Sequence, residues 1–160
     1  MQKITVLCVG KLKEPFYEQA VKEYEKRLSR YCKLELLELP DQRLGDEPSE
    51  AEIRQALKKE AALVEQKLPK GGALIAMCIE GQEMSSVALS QKMQQLAARG
   101  ASQLTFLIGG SFGLHPRVKQ RADLRLSMSP MTFPHHLARV MLLEQLYRAY
   151  QIDAGTRYHK

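Results

Sequence analysis

Residues 73–79 read ALIAMCI and residues 103–108 read QLTFLI; between them Ser85 or Ser86 opens an amphipathic stretch, Ala88, Leu89, Met93, Leu96 and Ala97, that closes at Gly100. The first run carries almost no polar alternation, as expected of a central strand covered on both faces. The apolar spacing that follows it is helical, with a serine N-cap and a glycine just past the C-terminus. Strands separated by helices imply an α/β sandwich with a mainly parallel sheet.

The same alternation extends in both directions. Upstream, Lys3–Val9 is β-branched and apolar and ends at Gly10, a buried strand. Pro15 suits a first helical turn, and Tyr17, Ala20, Val21, Tyr24, Leu28 and Tyr31 follow at helical spacing. Lys33–Leu39 is a second strand closed by Pro40, and residues 41–48 have loop composition. Ser49 and Glu52 form a capping box ahead of Ile53, Leu57, Ala61, Val64 and Leu68, a helix ended by Pro69, Gly71 and Gly72. Downstream, Pro116 starts a short basic helix, Leu124–Met128 is a fifth strand, and His135–Ile152 is a long helix, apolar round much of its circumference, before a polar tail. The expected fold is a five- or six-stranded, mainly parallel, Rossmann-like sheet with helices on both faces. No repeat or interdomain linker interrupts it, and 160 residues suit one domain over 1–160.

Composition narrows the function. Apolar residues make up 44% and charged residues 26%, ordinary globular usage that excludes collagen-like and disordered classes. The net charge is +6, and its position matters more than its size. Residues 1–70 hold 14 basic and 13 acidic side chains, whereas residues 71–160 hold 10 and 5. A basic C-terminal half suits a polyanion such as nucleic acid. Cys8, Cys32 and Cys78 are odd in number and far apart, so they make no disulfide framework; Cys8 and Cys78 sit in apolar runs as small core residues. A reducing cytoplasm is the expected compartment. His115, His135, His136 and His159 show no metal-ligand spacing, and no metal is expected. The apolar stretch Ile4–Val9 is too short for a secretory segment, and Ala73–Ile79 is too short to span a bilayer.

In open parallel sheets, ligands collect outside the carboxyl ends of the strands, so the loops after Ile79, Ile108 and Met128 are the ones that matter. Gly109-Gly110-Ser111-Phe112-Gly113-Leu114 is a glycine-rich turn directly after a strand, fit either for close approach to a ligand or for a plain tight turn. It matches neither G-x-G-x-x-G nor the P-loop. Met128-Ser129-Pro130-Met131-Thr132-Phe133-Pro134 is stiffened by two prolines and could grip a heterocycle by main-chain bonds between apolar walls, or simply lead into the helix. Arg148 and the closing Arg157-Tyr158-His159-Lys160 group stacking, phosphate-binding and proton-accepting side chains. Nucleophile elbows, paired glycosidase carboxylates and acidic magnesium clusters are missing, so group transfer by positioning fits better than hydrolysis.

Taken together, these segments resemble the bacterial large-subunit ribosomal RNA methyltransferase H family, which belongs to the SPOUT, or α/β-knot, methyltransferases. The matching residues run from Ile4–Lys11 through Leu107–Ser111, Gly113-Leu114 and Met131–His135 to Arg139-Val140, Glu144-Gln145, Tyr147–Ala149 and Tyr158–Lys160. The resemblance covers the whole chain. It implies methyl transfer from S-adenosyl-L-methionine to N3 of a pseudouridine in 23S ribosomal RNA on the assembled ribosome, by a homodimer whose C-terminal region forms a trefoil knot. It further implies cofactor contacts at Met77, Gly109, Met128, Ser129, Pro130, Met131, Thr132 and Phe133. His159 is the expected base, Tyr158 its stacking or hydrogen-bonding partner, and Arg148 a group that stabilises developing charge or binds phosphate. Phe112 departs from the pattern, which calls for a small or polar residue, and His136 is assigned nothing. The rival readings are a SPOUT enzyme acting at another RNA position such as a ribose hydroxyl, a non-catalytic ribosome-binding factor, and a small-molecule enzyme using a nucleotide cofactor.

Overall fold

The computed structural model describes residues 1–160. Along the chain run β1 (Gln2–Val9), α1 (Pro15–Leu28), β2 (Cys32–Leu39), α2 (Glu50–Lys67), β3 (Ala73–Glu83), α3 (Ser86–Ala98), β4 (Gln103–Ile108), α4 (Pro116–Arg121), β5 (Leu124–Ser127) and α5 (His135–Asp153). The five strands form one sheet in the order β2-β1-β4-β3-β5, and every pairing is parallel.

The strand order explains where the helices lie. In that order, α1 and α3 carry crossovers in one direction and α2 and α4 in the other. Right-handed crossovers then require the two pairs of helices to cover opposite faces. On one face Val21, Leu28, Leu89 and Met93 pack on Ile4, Val6, Ile75 and Phe106. On the other, Ala61, Val64 and Val118 pack on Leu7, Val9, Leu74 and Leu107. Successive residues of β1 and β4 thus point into two separate cores, as strand geometry demands. The last helix, α5, joins the first face, against α1 and α3.

Local chemistry sets most boundaries. Ser49 Oγ accepts from the Glu52 amide while Glu52 returns a bond to the Ser49 amide, so the expected capping box opens α2. Ser85 caps α3 by accepting from the Ala88 amide. Helix α1 ends at Leu28 rather than reaching Tyr31, which instead stacks beside Tyr150 from the turn before β2.

Two expectations about β3 change. The centre of the sheet is β4, whose residues 104–108 are all buried; β3 lies next to it. The strand also runs on to Glu83, past its apolar part, through an irregularity in which Met77 and Gln82 both face Leu126. Residues 78–81 loop out between those pairs. A Cβ on Gly81 would lie 2.8 Å from the Arg125 carbonyl, so only glycine lets the chain return to β5 here. Cys78, on that bulge, is only partly buried, while Cys32 is the cysteine that joins Cys8 in the core. No helix is long and apolar enough to cross a membrane.

Candidate active site

The bulge after Met77, the turn after Ile108 and the loop after Ser127 meet outside the carboxyl ends of β3, β4 and β5. They enclose a cavity of about 920 Å³, and His135 and Ala138 at the start of α5 complete its wall. The register pairs Ala76 with Leu107 and Met77 with Leu126, so the three strands deliver their loops at one level.

The glycine turn is tight. Gly113 donates its amide to the Gly110 carbonyl at 3.0 Å, and a Cβ on Gly109 would lie 2.4 Å from the Gly113 carbonyl oxygen. The room left by the missing side chain of Gly109 is thus taken by the Gly113 carbonyl, which closes the turn at the cavity wall. Serines brace the other loop: the Ser129 amide donates to Ser127 Oγ at 3.3 Å, and the Met131 amide to Ser129 Oγ at 3.0 Å. Such side-chain-to-backbone turns hold a loop that has no ladder of its own. Met77, Leu126, Met128 and Phe133 supply apolar wall. Met128 lies just past β5, which ends at Ser127.

Seven of the eight residues expected at the cofactor, Met77, Gly109, Met128, Ser129, Met131, Thr132 and Phe133, line this cavity; Pro130 does not. The three residues expected in catalysis also come together, but elsewhere. Arg148 Nη1 lies 3.2 Å from His159 Nδ1, and the Arg148 guanidinium sits 4.7 Å over the Tyr158 ring. None of the three lines the cavity. Arg148 is thirteen residues along α5 from His135, which at ~1.5 Å per residue separates the cluster from the cavity wall by roughly 20 Å within one protomer.

Residues 2–159 match the family model described as predicted SPOUT methyltransferase. A protein of Clostridium perfringens (strain SM101 / Type A) named ribosomal RNA large subunit methyltransferase H 1 is 50% identical over 157 residues, 98% of this chain and 99% of that one. The chain belongs to the ribosomal RNA large subunit methyltransferase H family of SPOUT methyltransferases. Another member, ribosomal RNA large subunit methyltransferase H of Streptococcus suis (strain 05ZYH33), is 44% identical over 158 residues, 99% of both chains. Among solved structures, the SpoU methyltransferase AviRb from Streptomyces viridochromogenes, in complex with AdoMet, aligns with 98% of this chain and 60% of its own at a TM-score of 0.46 and 12% identity.

In this ribosomal RNA large subunit methyltransferase H family member, residues without an expected role organise both ends of α5. Glu144 is the hub of the tail cluster. One carboxylate oxygen accepts from Arg148 Nε at 2.8 Å, and the other accepts from the hydroxyls of Tyr24 and Tyr158, each at 2.8 Å. Arginine can only donate, so His159 Nδ1 is the acceptor of the Arg148 bond and the neutral ring carries its proton on Nε2. At the other end, His135 lines the cavity and packs its ring 4.2 Å from that of His136, whose Nδ1 lies 3.2 Å from Glu14. Burial, then the neighbouring His136 and Arg139, hold the His135 imidazole below the ordinary histidine range. One turn on, the buried Arg139 pairs with Glu38 at 2.5 Å and donates to the Gly10 carbonyl at 3.1 Å, tying α5 to the ends of β1 and β2. Glu80 on the bulge and Lys119 on α4 form an ion pair across one side of the cavity, which keeps the Glu80 carboxyl below its usual range. Arg139 is therefore structural, and Arg117 and Arg121 are both engaged by Glu65. Lys92, Arg99, Arg125, Arg157 and Lys160 remain outside ion pairs, so only part of the C-terminal basic excess is open to a polyanion. No group of three or more His, Cys, Asp and Glu side chains is placed to hold a metal ion.

Proposed function

We propose that this protein methylates N3 of a pseudouridine in 23S ribosomal RNA on the assembled ribosome, using S-adenosyl-L-methionine, as a cytoplasmic homodimer with the family's C-terminal trefoil knot. One observation carries the reading: a chain 50% identical to a named large-subunit methyltransferase over 98% of its length has a cavity at the carboxyl ends of three parallel strands, lined by seven of the eight residues at which the family resemblance implies cofactor contact. The residues present fit the donor. A cavity of about 920 Å³ is large enough for a nucleoside, and its apolar walls suit an adenine. When bound, the donor supplies an electrophilic methyl group on a sulfonium centre.

The protein's own tasks are to align N3 with that methyl group and to take its proton. His159 is the proposed base. In the single protomer its Nδ1 faces Arg148 at 3.2 Å, so Nδ1 must part from Arg148 before it accepts a proton. That release frees Nη1 of Arg148, whose Nε and Nη2 stay on Glu144, to face the imide charge or a phosphate, and the Tyr158 ring beside it offers a stacking surface. The roughly 20 Å between cluster and cavity is the reason for a dimer. With two α5 helices antiparallel about a two-fold axis, the C-terminal end of one lies beside the N-terminal end of the other, and each tail serves its partner's cavity. Helix α5 suits such packing, since Leu137, Val140, Met141, Tyr147 and Ile152 are only partly covered in one protomer.

The test is incubation of ribosomes from cells lacking the enzyme with the protein and methyl-labelled S-adenosyl-L-methionine, followed by mapping of the label. Label at N3 of one 23S pseudouridine is expected; label on a ribose, or none, overturns the reading. Mixing Gly109→Ala with a variant truncated after Arg157 tests the shared site. Heterodimers rebuild one complete site of two, so activity returns if the tail works in the partner and stays lost if it works in its own protomer.

A further inference from the structure

Six large apolar side chains stand well out in solvent, and three of them, Ile79, Phe112 and Met131, line the one cavity described above. They come from three different segments: the β3 bulge, the glycine turn and the loop before α5. Their exposures are 52%, 50% and 73%. Apolar surface left in water at the rim of a cavity marks a place where something binds.

Phe112 is the distinctive member. It stands in the turn closed by the antiparallel bridge between Gly110 and Gly113, on backbone that the contact between Gly109 and Gly113 prevents from relaxing. Its ring pairs with no other aromatic ring of the chain, although the tyrosines of α1, α5 and the tail pair extensively among themselves. A rigidly presented, unstacked ring half in water is the surface that replaces a lost stacking neighbour. The charge beside the bulge that carries Ile79 favours an anionic polymer. Arg125, whose main chain abuts Gly81 of the bulge, is exposed and in no ion pair, while the nearby Glu80 is neutralised by Lys119.

We propose that Phe112 is a substrate-binding residue that stacks on an unstacked nucleobase of the RNA, with Ile79 and Met131 as the apolar rim on either side. The inference rests on the RNA methyltransferase reading above and deepens it. A base whose N3 must reach a methyl donor has to leave its stack, and a replacement face at the mouth of the donor cavity lowers the free-energy cost of that extrusion.

The test compares the full-length wild type with Phe112→Ala, Phe112→Leu and Phe112→Trp. Each is assayed on ribosomes lacking the methyl group, and its affinity for S-adenosyl-L-methionine is measured by calorimetry without ribosomes. Stacking predicts unchanged donor affinity throughout, which also reports that each variant is folded. It predicts a KM for ribosomes raised about tenfold or more in the alanine and leucine variants and restored in the tryptophan variant. A leucine variant equal to wild type overturns stacking in favour of plain apolar contact. Donor affinity that falls in step with ribosome KM in the alanine variant overturns it too, by assigning the ring to the donor. An active wild type with an unchanged alanine variant sinks this inference alone, whereas a wild type that transfers nothing to ribosomes sinks it together with the functional reading.

Discussion

Tyr158 donates its hydroxyl to Glu144 at 2.8 Å, and through that bond the last residues of the sequence are tied to the middle of the last helix. Terminal segments ordinarily fray. Here Glu144 also holds Arg148, which reaches His159, and the Tyr158 ring lies edge-on to Tyr147 at 4.9 Å.

Glu144→Ala removes the shared acceptor of Tyr24, Tyr158 and Arg148. The partners it strands are partly exposed and regain water, so a loss of about 1–2 kcal/mol is expected by urea unfolding. Carboxypeptidase should trim residues 158–160 faster in this variant than in wild type.

The same cluster makes stability depend on alkaline pH. Burial, with the bond to Glu144, pushes the Tyr24 phenol from 10.0 up to about 12, and burial likewise raises Tyr158. A raised value means that the hydroxyl's contribution is complete below pH 10 and is lost as pH climbs through about 12. The thermal midpoint of the wild type should fall across that window, and Tyr24→Phe should start lower and show a shallower fall there.

Acid acts at the other end of α5. Burial alone would raise the Glu38 carboxyl, but the bonds from Arg139 and from the Leu12 amide bring it below its usual 4.5. Its contribution is therefore present above pH 4.5 and lost as pH falls through the lowered value. Glu38→Gln leaves Arg139 buried without a counter-charge, and about 3 kcal/mol of stability should go with it at neutral pH. Chemical unfolding of both proteins at neutral and acid pH should show the difference shrinking in acid.

Gly109→Ala brings a methyl group into the Gly113 carbonyl, a contact that backbone cannot yield to cheaply. A loss of about 1–3 kcal/mol in stability is expected from the overpacking. Affinity for S-adenosyl-L-methionine should fall much more than in Gly110→Ala, where the added carbon meets only Val9 at 3.5 Å. Calorimetric titration of the two variants separates them.

Binding to ribosomes should weaken linearly in log affinity against log salt, by about 0.7–0.9 for each phosphate neutralised. Arg125→Gln, which changes a cation in no ion pair, should lower that slope, and Arg117→Gln, whose charge is engaged by Glu65, should lower it less.

Much of the fold was legible because local rules and tertiary demands agree. The Ser49–Glu52 box, the glycines that close helices and the apolar runs of β1 and β4 each mark their own boundaries. Strand position was not legible: ALIAMCI has the composition of a centre, yet the neighbours of β3 are chosen by crossovers whose direction leaves no local trace. Residues 80–83, Glu-Gly-Gln-Glu, have no strand character, and they extend β3 only because β5 lies alongside. The cavity followed from the sheet-end rule, whereas the distance of Arg148, Tyr158 and His159 from it did not, because a motif carries no measure of how far it lies from another. The signal was present, since a helix of nineteen residues stands between the Pro134 turn and the tail. Glu144 and His135 fell within matching motifs but had no legible role, because their importance lies in partners distant in sequence, Tyr24 and Gly10.

Helix α5 acts as a ruler between the cavity and the tail cluster. Each residue added to a helix advances it by ~1.5 Å and turns it by ~100°. An insertion between Arg139 and Glu144 would therefore leave the cavity intact while swinging the tail out of phase with it. The length of this stretch in residues cannot change by one without moving the proposed base of the tail relative to the proposed donor cavity.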